Sequence, residues 1–290
     1  MPPLISVLMP VWNGEAFLEA AVNSVLEQTF QDFELLVIND GSTDRTAEIL
    51  GRYTDPRIRV ISLDHAGIVV ALNHGVAQAQ ARWIARLDAD DMCVQDRLES
   101  QWRAVNDHPG AVLCHSGVEN FGEEAPTTQP ARLPKSRSFT AMRLCYMCPV
   151  THSSVLFNRQ VQMEAGGYLP EERHAEDYSL WGRMLERGEF VALPQKLIRF
   201  RYHGQSVSRK NLSTQVALTK EIGARHCERF MRLDEANARR ANAVLCTPTR
   251  ERRWRDWGWF LTRCVPRLRW KSLETFRWLL WQSTKVLLRR

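Results

Sequence analysis

A chain of 290 residues with 44% hydrophobic side chains is long and apolar enough to bury a sizeable core, which excludes wholesale disorder. Its net charge of +6 is local: residues 250–290 hold 12 Lys/Arg against three Asp/Glu, leaving −3 on the first 249. The body therefore has no general affinity for polyanions, and nucleic acid is not an expected partner.

The sequence has no apolar run long enough to span a bilayer, and it lacks a signal-peptide pattern at Met1-Pro2-Pro3-Leu4. A cytosolic location is expected. The seven cysteines are odd in number and scattered, which suits reduced thiols. Cys145-x-x-Cys148 with His152 nearby lacks the remainder of a four-ligand zinc set.

In chain order, Ile5 to Val11 reads as a buried strand, and Asn13-Gly14 as a turn with Asn13 capping a following helix. Phe33 to Ile38 is a second strand ending in Asn39-Asp40-Gly41-Ser42, and a helix starts near Thr43. A short strand from Arg59 to Leu63 and a helix from about Gly67 to Gln80 come next. Strands alternating with helices predict a doubly wound, mostly parallel α/β sheet that binds ligands at the carboxyl ends of its strands.

The apolar run Trp83-Ile84-Ala85-Arg86-Leu87 ends in Asp88, Asp90 and Asp91. Three carboxylates this close repel one another. They fit either a site for a divalent cation with oxygen-preferring chemistry, Mg²⁺ or Mn²⁺, or a solvated acidic turn before the helix near Asp96. Neither a GxGxxG nor a GxxxxGK[ST] motif is present. Ala111 to His115 is strand-like, and residues 122–137, with three prolines and no periodicity, read as a loop that could serve as a lid or a plain connector. Cys148 to Phe157 leads into a strand, and Ala175-Glu176-Asp177-Tyr178-Ser179-Leu180-Trp181 opens a helix whose start Asp177 could cap. Arg199 to Ser208 ends the compact body.

Five pieces in this order, S-V-L-M-P-V-W-N-G, V-I-N-D-G-S-T-D, I-A-R-L-D-A-D-D, A-E-D-Y-S-L-W and Y-H-G-x-S-x-S, resemble family 2 glycosyltransferases of the GT-A fold over roughly residues 4–210. Trp12 stands where the family usually has tyrosine. The resemblance implies that Pro10, Val11 and Asn13 line a nucleotide pocket with Glu15 near it, and that Asp40 accepts a hydrogen bond from the base. It further implies that Asp88 lies toward the ribose and that Asp90 holds Mn²⁺ or Mg²⁺ on the diphosphate, with Asp91 supporting and His203 a further candidate near the metal. Asp177 matches the family's general base, with Glu176, His152 and Trp181 as supporting residues. The Q-x-x-R-W motif of processive members is absent, since Gln195 to Phe200 has the wrong spacing.

The expected organisation is a catalytic domain over 1–210, with a nucleotide-sugar half to about 115 and an acceptor half over 116–210. A helical, basic, Trp-rich extension over 211–290 follows. Its Trp254, Trp257, Leu261, Cys264 stripe, and a second with Leu273, Phe276, Leu280 and Leu287 opposite Lys271, Lys285 and Arg289, suit the surface of an anionic membrane or packing against the body or a partner. The expected activity is inverting transfer, one sugar per encounter, from a nucleotide-sugar (UDP-linked) to a hydroxyl of a glycan or glycolipid at the inner membrane face. A nucleotidyltransferase or phosphohydrolase using the same acidic site, and a non-catalytic nucleotide-sugar-binding membrane scaffold, are the alternatives.

Overall fold

The computed structural model describes residues 2–123, 125–126, 133–204, 212–248, 251–268 and 271–287, without the side chains of Leu212 and Leu287. The chain forms two compact units, one from residues 1–133 with 150–210 and the other from 134–149 with 211–290. Residues 134–149, expected in the acceptor half, thus group with the C-terminal helices. Much of the loop expected over 122–137, along with Gln205 to Ser208 and Arg289, lies outside the described residues.

The first unit is built on eight strands: β1 (Ile5–Val11), β2 (Phe33–Asp40), β3 (Ile58–Leu63), β4 (Trp83–Arg86), β5 (Met92–Cys93), β6 (Ala111–Phe121), β7 (Val155–Asn158) and β8 (Glu189–Arg201). Their order is β3-β2-β1-β4-β7-β6-β8-β5. The first four in that order are parallel, β7 runs antiparallel between β4 and β6, β8 is parallel to β6, and β5 closes the edge antiparallel. Every residue of β1, β2 and β4 is buried, as expected for parallel strands covered on both faces. The covering helices of the nucleotide half are α1 (Leu18–Leu26), α2 (Thr46–Gly51), α3 (Ile68–Gln78) and α4 (Arg97–Asn106). Gly75 lets α3 lie close on β1, because a Cβ there would sit 2.2 Å from Leu8 Cδ1.

Two features differ from the sequence reading. Strand β8 spans 13 residues, a length hidden by Pro194, near which the ladder with β6 shifts register. Asn13 does not cap α1, which begins after Phe17 with no side-chain cap. Asn13 is instead left-handed (φ 50°), and its Oδ1 accepts the Thr43 N–H at 2.8 Å, joining the loop after β1 to the loop after β2.

The sheet is pinned beneath those loops by a buried cation. Arg97, wholly inaccessible on α4, donates through Nη2 to the carbonyls of Arg86 (2.8 Å) and Val155 (3.1 Å), and through Nε to Gln101 (3.0 Å). It thereby ties β4, α4 and the start of β7 together where the short strands leave their carbonyls open.

The second unit comprises α5 (Arg137–Leu144), α8 (Leu212–Met231), α9 (Glu235–Cys246), α10 (Trp254–Arg263) and α11 (Leu273–Leu287), whereas α6 (Arg159–Glu164) and α7 (Glu176–Leu185) belong to the first. Asp234 caps α9 by accepting the Asn237 N–H, just after Arg232 turns the chain at φ 52°. Ser136 and Ser138 bond Ser272, Glu274 and Thr275, which explains why α5 joins the tail. In α10 Trp257 and Phe260 are buried, as is Cys264 just after it, and Trp257 Nε1 donates to Ser283. Of the stripe expected to face a membrane or to pack, Trp257 and Cys264 are thus buried within this unit and Leu261 is half-buried, while Trp254 stays 53% exposed. Among the described residues no helix is long and apolar enough to cross a membrane.

Arg97→Leu should destabilise the fold by roughly 2–4 kcal/mol, since it strands two buried carbonyls and Gln101. Urea unfolding measures this, and an unchanged midpoint would show that Arg97 does not pin the strands.

Candidate functional site

Three strand ends of the first unit, those of β1, β2 and β4, deliver the polar residues singled out above. The side chains of Pro10 and Val11 are buried in β1, so the first exposed residues there are Trp12 and Asn13. Trp12 is 55% exposed and stacks on His65 with ring centroids 4.7 Å apart. His65 is held in turn by Asp40, whose backbone carbonyl lies 3.0 Å from Nδ1.

Asp40 is itself buried. Its Oδ1 accepts the Ala66 N–H and its Oδ2 the Gly67 N–H, each at 2.9 Å, so its carboxylate closes the loop that carries His65. Gly41 (φ 67°) permits this approach, as a Cβ there would sit 2.7 Å from His65 N. Glu15 is committed to Arg45, accepting from its backbone N–H (3.1 Å) and its Nε (3.2 Å). Around this corner lies an exposed flat aromatic surface on a well-tied double loop.

The acidic stretch forms a cluster. Asp88, Asp90 and Asp91 each offer a carboxylate oxygen within 4.8 Å of the others, the one group of three such ligands found among the described residues. Asp88 and Asp90 are about one-third exposed, while Asp91 is buried. At this spacing each charge pair repels by on the order of 3 kcal/mol at an effective dielectric of about 20, and by less where water screens. The cluster responds accordingly. Burial, then the charges of Asp88 and Asp90, holds Asp91 well above the usual carboxylate range. Burial and Asp88 also raise Asp90, against the opposing pull of His203.

What holds the carboxylates together is a set of buried donors. Arg86, at the end of β4, forms an ion pair with Asp88 and donates from Nη1 to Ser153 Oγ at 2.9 Å. Ser153 Oγ lies 2.9 Å from Asp88 Oδ2 and 2.5 Å from Asp91 Oδ2, and it accepts the Asp88 N–H. Its single proton serves one carboxylate at a time. From β8, the Arg201 N–H donates to Asp91 Oδ1 and Arg201 Nε donates to the Asp90 carbonyl, both at 2.8 Å. His203 Nε2 meets Asp90 Oδ2 at 2.9 Å, and its ring packs 4.8 Å from that of Phe17.

These residues fit a divalent metal. The donors are all hard carboxylate oxygens, two of the three side chains face the solvent, and burial followed by mutual repulsion raises the proton affinities of Asp90 and Asp91, a repulsion that a cation would offset. Arg86 supplies part of that offset from below, leaving the outward oxygens free to turn toward an ion.

Asp177 stands in the first turn of α7, after Ala175, so it does not occupy the cap position itself. Burial first, and then the charge of Glu176, push its carboxyl up to about 7. Arg86 opposes that shift and Asp88 adds to it, so Asp177 lies within electrostatic reach of the acidic cluster. Glu176 is buried and accepts the N–H of His174, a non-glycine residue held at φ 81°. His152 opens the turn that presents Ser153, and burial together with Arg86 keeps it neutral. Its Nε2 shares a 2.9 Å hydrogen bond with the Tyr168 hydroxyl, and Trp181, fully buried, packs edge-on against its ring. His152 and Trp181 thus buttress the site from within the core.

Arg86, Ser153, Arg201 and His65 had no assigned role in the sequence reading. Arg86 was visible only as an unexpected charge inside an apolar run, and nothing local marks Ser153 as a neighbour of Asp88.

Comparison with known proteins identifies the family and the fold. The family model for glycosyl transferase family 2 matches residues 6–164, more than half of the chain. The O-antigen biosynthesis glycosyltransferase WbnJ of Escherichia coli is 27% identical over 216 residues, covering 72% of this chain and 84% of that protein. Among solved structures, S. aureus TarS 1-349 in complex with UDP-GlcNAc superimposes with a TM-score of 0.67 at 15% identity, covering 98% of this chain and 88% of that one. The mannosyltransferase PcManGT from Pyrobaculum calidifontis, in complex with GDP-Man and Mn²⁺, gives 0.58 at 15% identity, covering 100% and 87%. The fold is of the GT-A type, and the chain belongs to glycosyltransferase family 2.

Proposed function

We propose that this glycosyltransferase moves a sugar from a nucleotide-sugar donor, UDP-linked, to a hydroxyl of a glycan or glycolipid precursor with inversion at the anomeric carbon, one sugar per encounter. The observation that carries this reading is the pairing of two unlike acidic groups in one unit: a solvent-facing carboxylate cluster braced by Arg86, and Asp177 with a proton affinity near neutrality. The UDP-GlcNAc complex of TarS and the Mn²⁺ complex of PcManGT support a nucleotide-sugar and a divalent ion as ligands.

Trp12 and His65 would stack on the base, with Asp40 fixing the loop beneath and offering a lone pair to a base N–H. Asp88 would face the ribose, and Asp90 and Asp88, with Asp91 behind and His203 beside them, would hold Mn²⁺ or Mg²⁺. The ion would neutralise the diphosphate and stabilise it as a leaving group. Asp177 would take the proton of the acceptor hydroxyl as its oxygen bonds to the anomeric carbon and the bond from that carbon to the phosphate oxygen breaks. Ser153 and Arg86 keep Asp88 and Asp91 oriented throughout. The name of WbnJ, an O-antigen biosynthesis glycosyltransferase, supports a cell-envelope glycan as the product class, and the proposed place of work is peripheral, at the inner face of the cytoplasmic membrane.

A carboxyl that ionises near neutral pH predicts that kcat/KM rises as pH increases through about 7 and then levels. Glu176→Gln removes a charge that disfavours ionisation of Asp177, so the rising limb should move to lower pH. A limb that stays put would separate it from Asp177.

Asp177→Asn should lower kcat by about 10²–10⁴-fold while UDP and Mn²⁺ still raise the melting temperature together. If donor-linked stabilisation disappears with Asp177, the assignment as base fails. Asp90→Asn should abolish the Mn²⁺-dependent part of that stabilisation, and a full Mn²⁺ effect in this variant would place the ion elsewhere. Release of pyrophosphate or inorganic phosphate from the donor, in place of UDP, would favour a nucleotidyltransferase or phosphohydrolase.

A further inference from the structure

Helix α11 carries two faces. One is buried in its own unit, through Thr275, Leu279, Gln282 and Val286, each at most 8% exposed. The opposite face is open. It holds Leu273 (63% exposed), Phe276 (57%) and Leu280 (50%), a row at helical spacing i, i+3, i+7. Alongside runs a second row, Arg277, Trp281 and Lys285, all exposed, with Lys285 Nζ 3.5 Å from the centre of the Trp281 ring.

The exposed positions between Lys271 and Lys285 include no acidic residue. Glu274, the one acid in this stretch, has its carboxylate turned to the backbone and hydroxyl of Ser136.

We infer that the outer face of α11 is a membrane-docking surface: it lies in the interface of a bilayer containing anionic lipid, with Leu273, Phe276 and Leu280 among the acyl chains and Arg277, Trp281 and Lys285 at headgroup depth. The charge pattern selects this occupant. A row of cations beside an apolar row, joined by an amphipathic tryptophan, matches the step from acyl chain to anionic headgroup. A second copy of the chain is a poor match, because a self-complementary contact would bring two cation rows together with no acid on either face to answer them. Among the described residues of the helical unit α11 holds the longer open apolar row, since Trp257 and Phe260 of α10 are buried and Trp254 is the one large hydrophobic exposed there. The inference rests on the peripheral location proposed above and is independent of the sugar-transfer chemistry, so its test needs no donor or acceptor.

Cosedimentation of the full chain with vesicles of phosphatidylcholine alone, and with 30 mol% phosphatidylglycerol, measures the contact. Binding to the anionic vesicles should exceed binding to the neutral ones by at least tenfold and weaken with added salt. Phe276→Glu with Leu280→Glu should reduce it at least tenfold at an unchanged melting temperature, since both side chains are exposed in the folded chain. Arg277→Gln with Lys285→Gln should remove most of the preference for the anionic lipid. Equal binding to both vesicle types, or anionic binding untouched by the Phe276 and Leu280 pair, overturns the inference. A dimer in light scattering that the same pair dissolves, without vesicle binding in the wild type, overturns it in favour of self-association.

Discussion

The contact between Arg86 and Asp88, buried on the cation's side and open on the carboxylate's, is the interaction on which the site depends. Arg86 is 3% exposed at the end of an inaccessible strand, a position where a guanidinium is costly unless paired. Its partner is one of three carboxylates that would otherwise repel each other out of register. Ser153 bridges the pair and reaches Asp91, and Arg97 secures the Arg86 carbonyl from the other side. The same positive charge acts on Asp177, whose proton affinity would be higher without it. One buried cation thus shapes both the ligand-facing cluster and the group suited to take a proton.

Acidic residues on the surface commonly serve only to solvate a turn, and the spacing of Asp88, Asp90 and Asp91 alone does not distinguish that case. The distinction comes from their unequal environments. Asp91 is buried and held by Ser153 and the Arg201 N–H, whereas Asp88 and Asp90 keep oxygens toward solvent. A solvated turn has no need of a buried arginine, a buried serine and two donors from β8 beneath it. Such support is what a preorganised site requires.

The alternation of apolar runs with helical periods made the nucleotide half legible in the sequence, because β1, β2 and β4 are largely hydrophobic, buried segments that end in polar residues. The motifs around Asp40 and Asp88 were legible for the same reason, since they sit where such runs stop, whereas Asp177 stood out as an acid opening the apolar helix α7. What escaped depends on contacts between residues distant in the chain. Ser153 meets Asp88 only because β7 pairs antiparallel with β4, and β8 was masked by Pro194 and its shifted register. Asn13 looked like a helix cap, yet it bonds the next loop in a left-handed conformation that helix propensity does not encode. In the tail, two amphipathic stripes looked alike, and only the packing shows that Trp257 and Cys264 of the first are buried while Leu273, Phe276 and Leu280 of the second stay exposed.

The most direct test of the central claim is a crystal structure of the chain grown with Mn²⁺ and UDP, with the ion located by its anomalous scattering. The account predicts a single strong peak within about 2.0–2.6 Å of an Asp90 or Asp88 carboxylate oxygen, the diphosphate bound to it and Asp177 facing the same opening. An ion and nucleotide bound away from these aspartates, or a cluster that stays empty while UDP binds elsewhere, would contradict it.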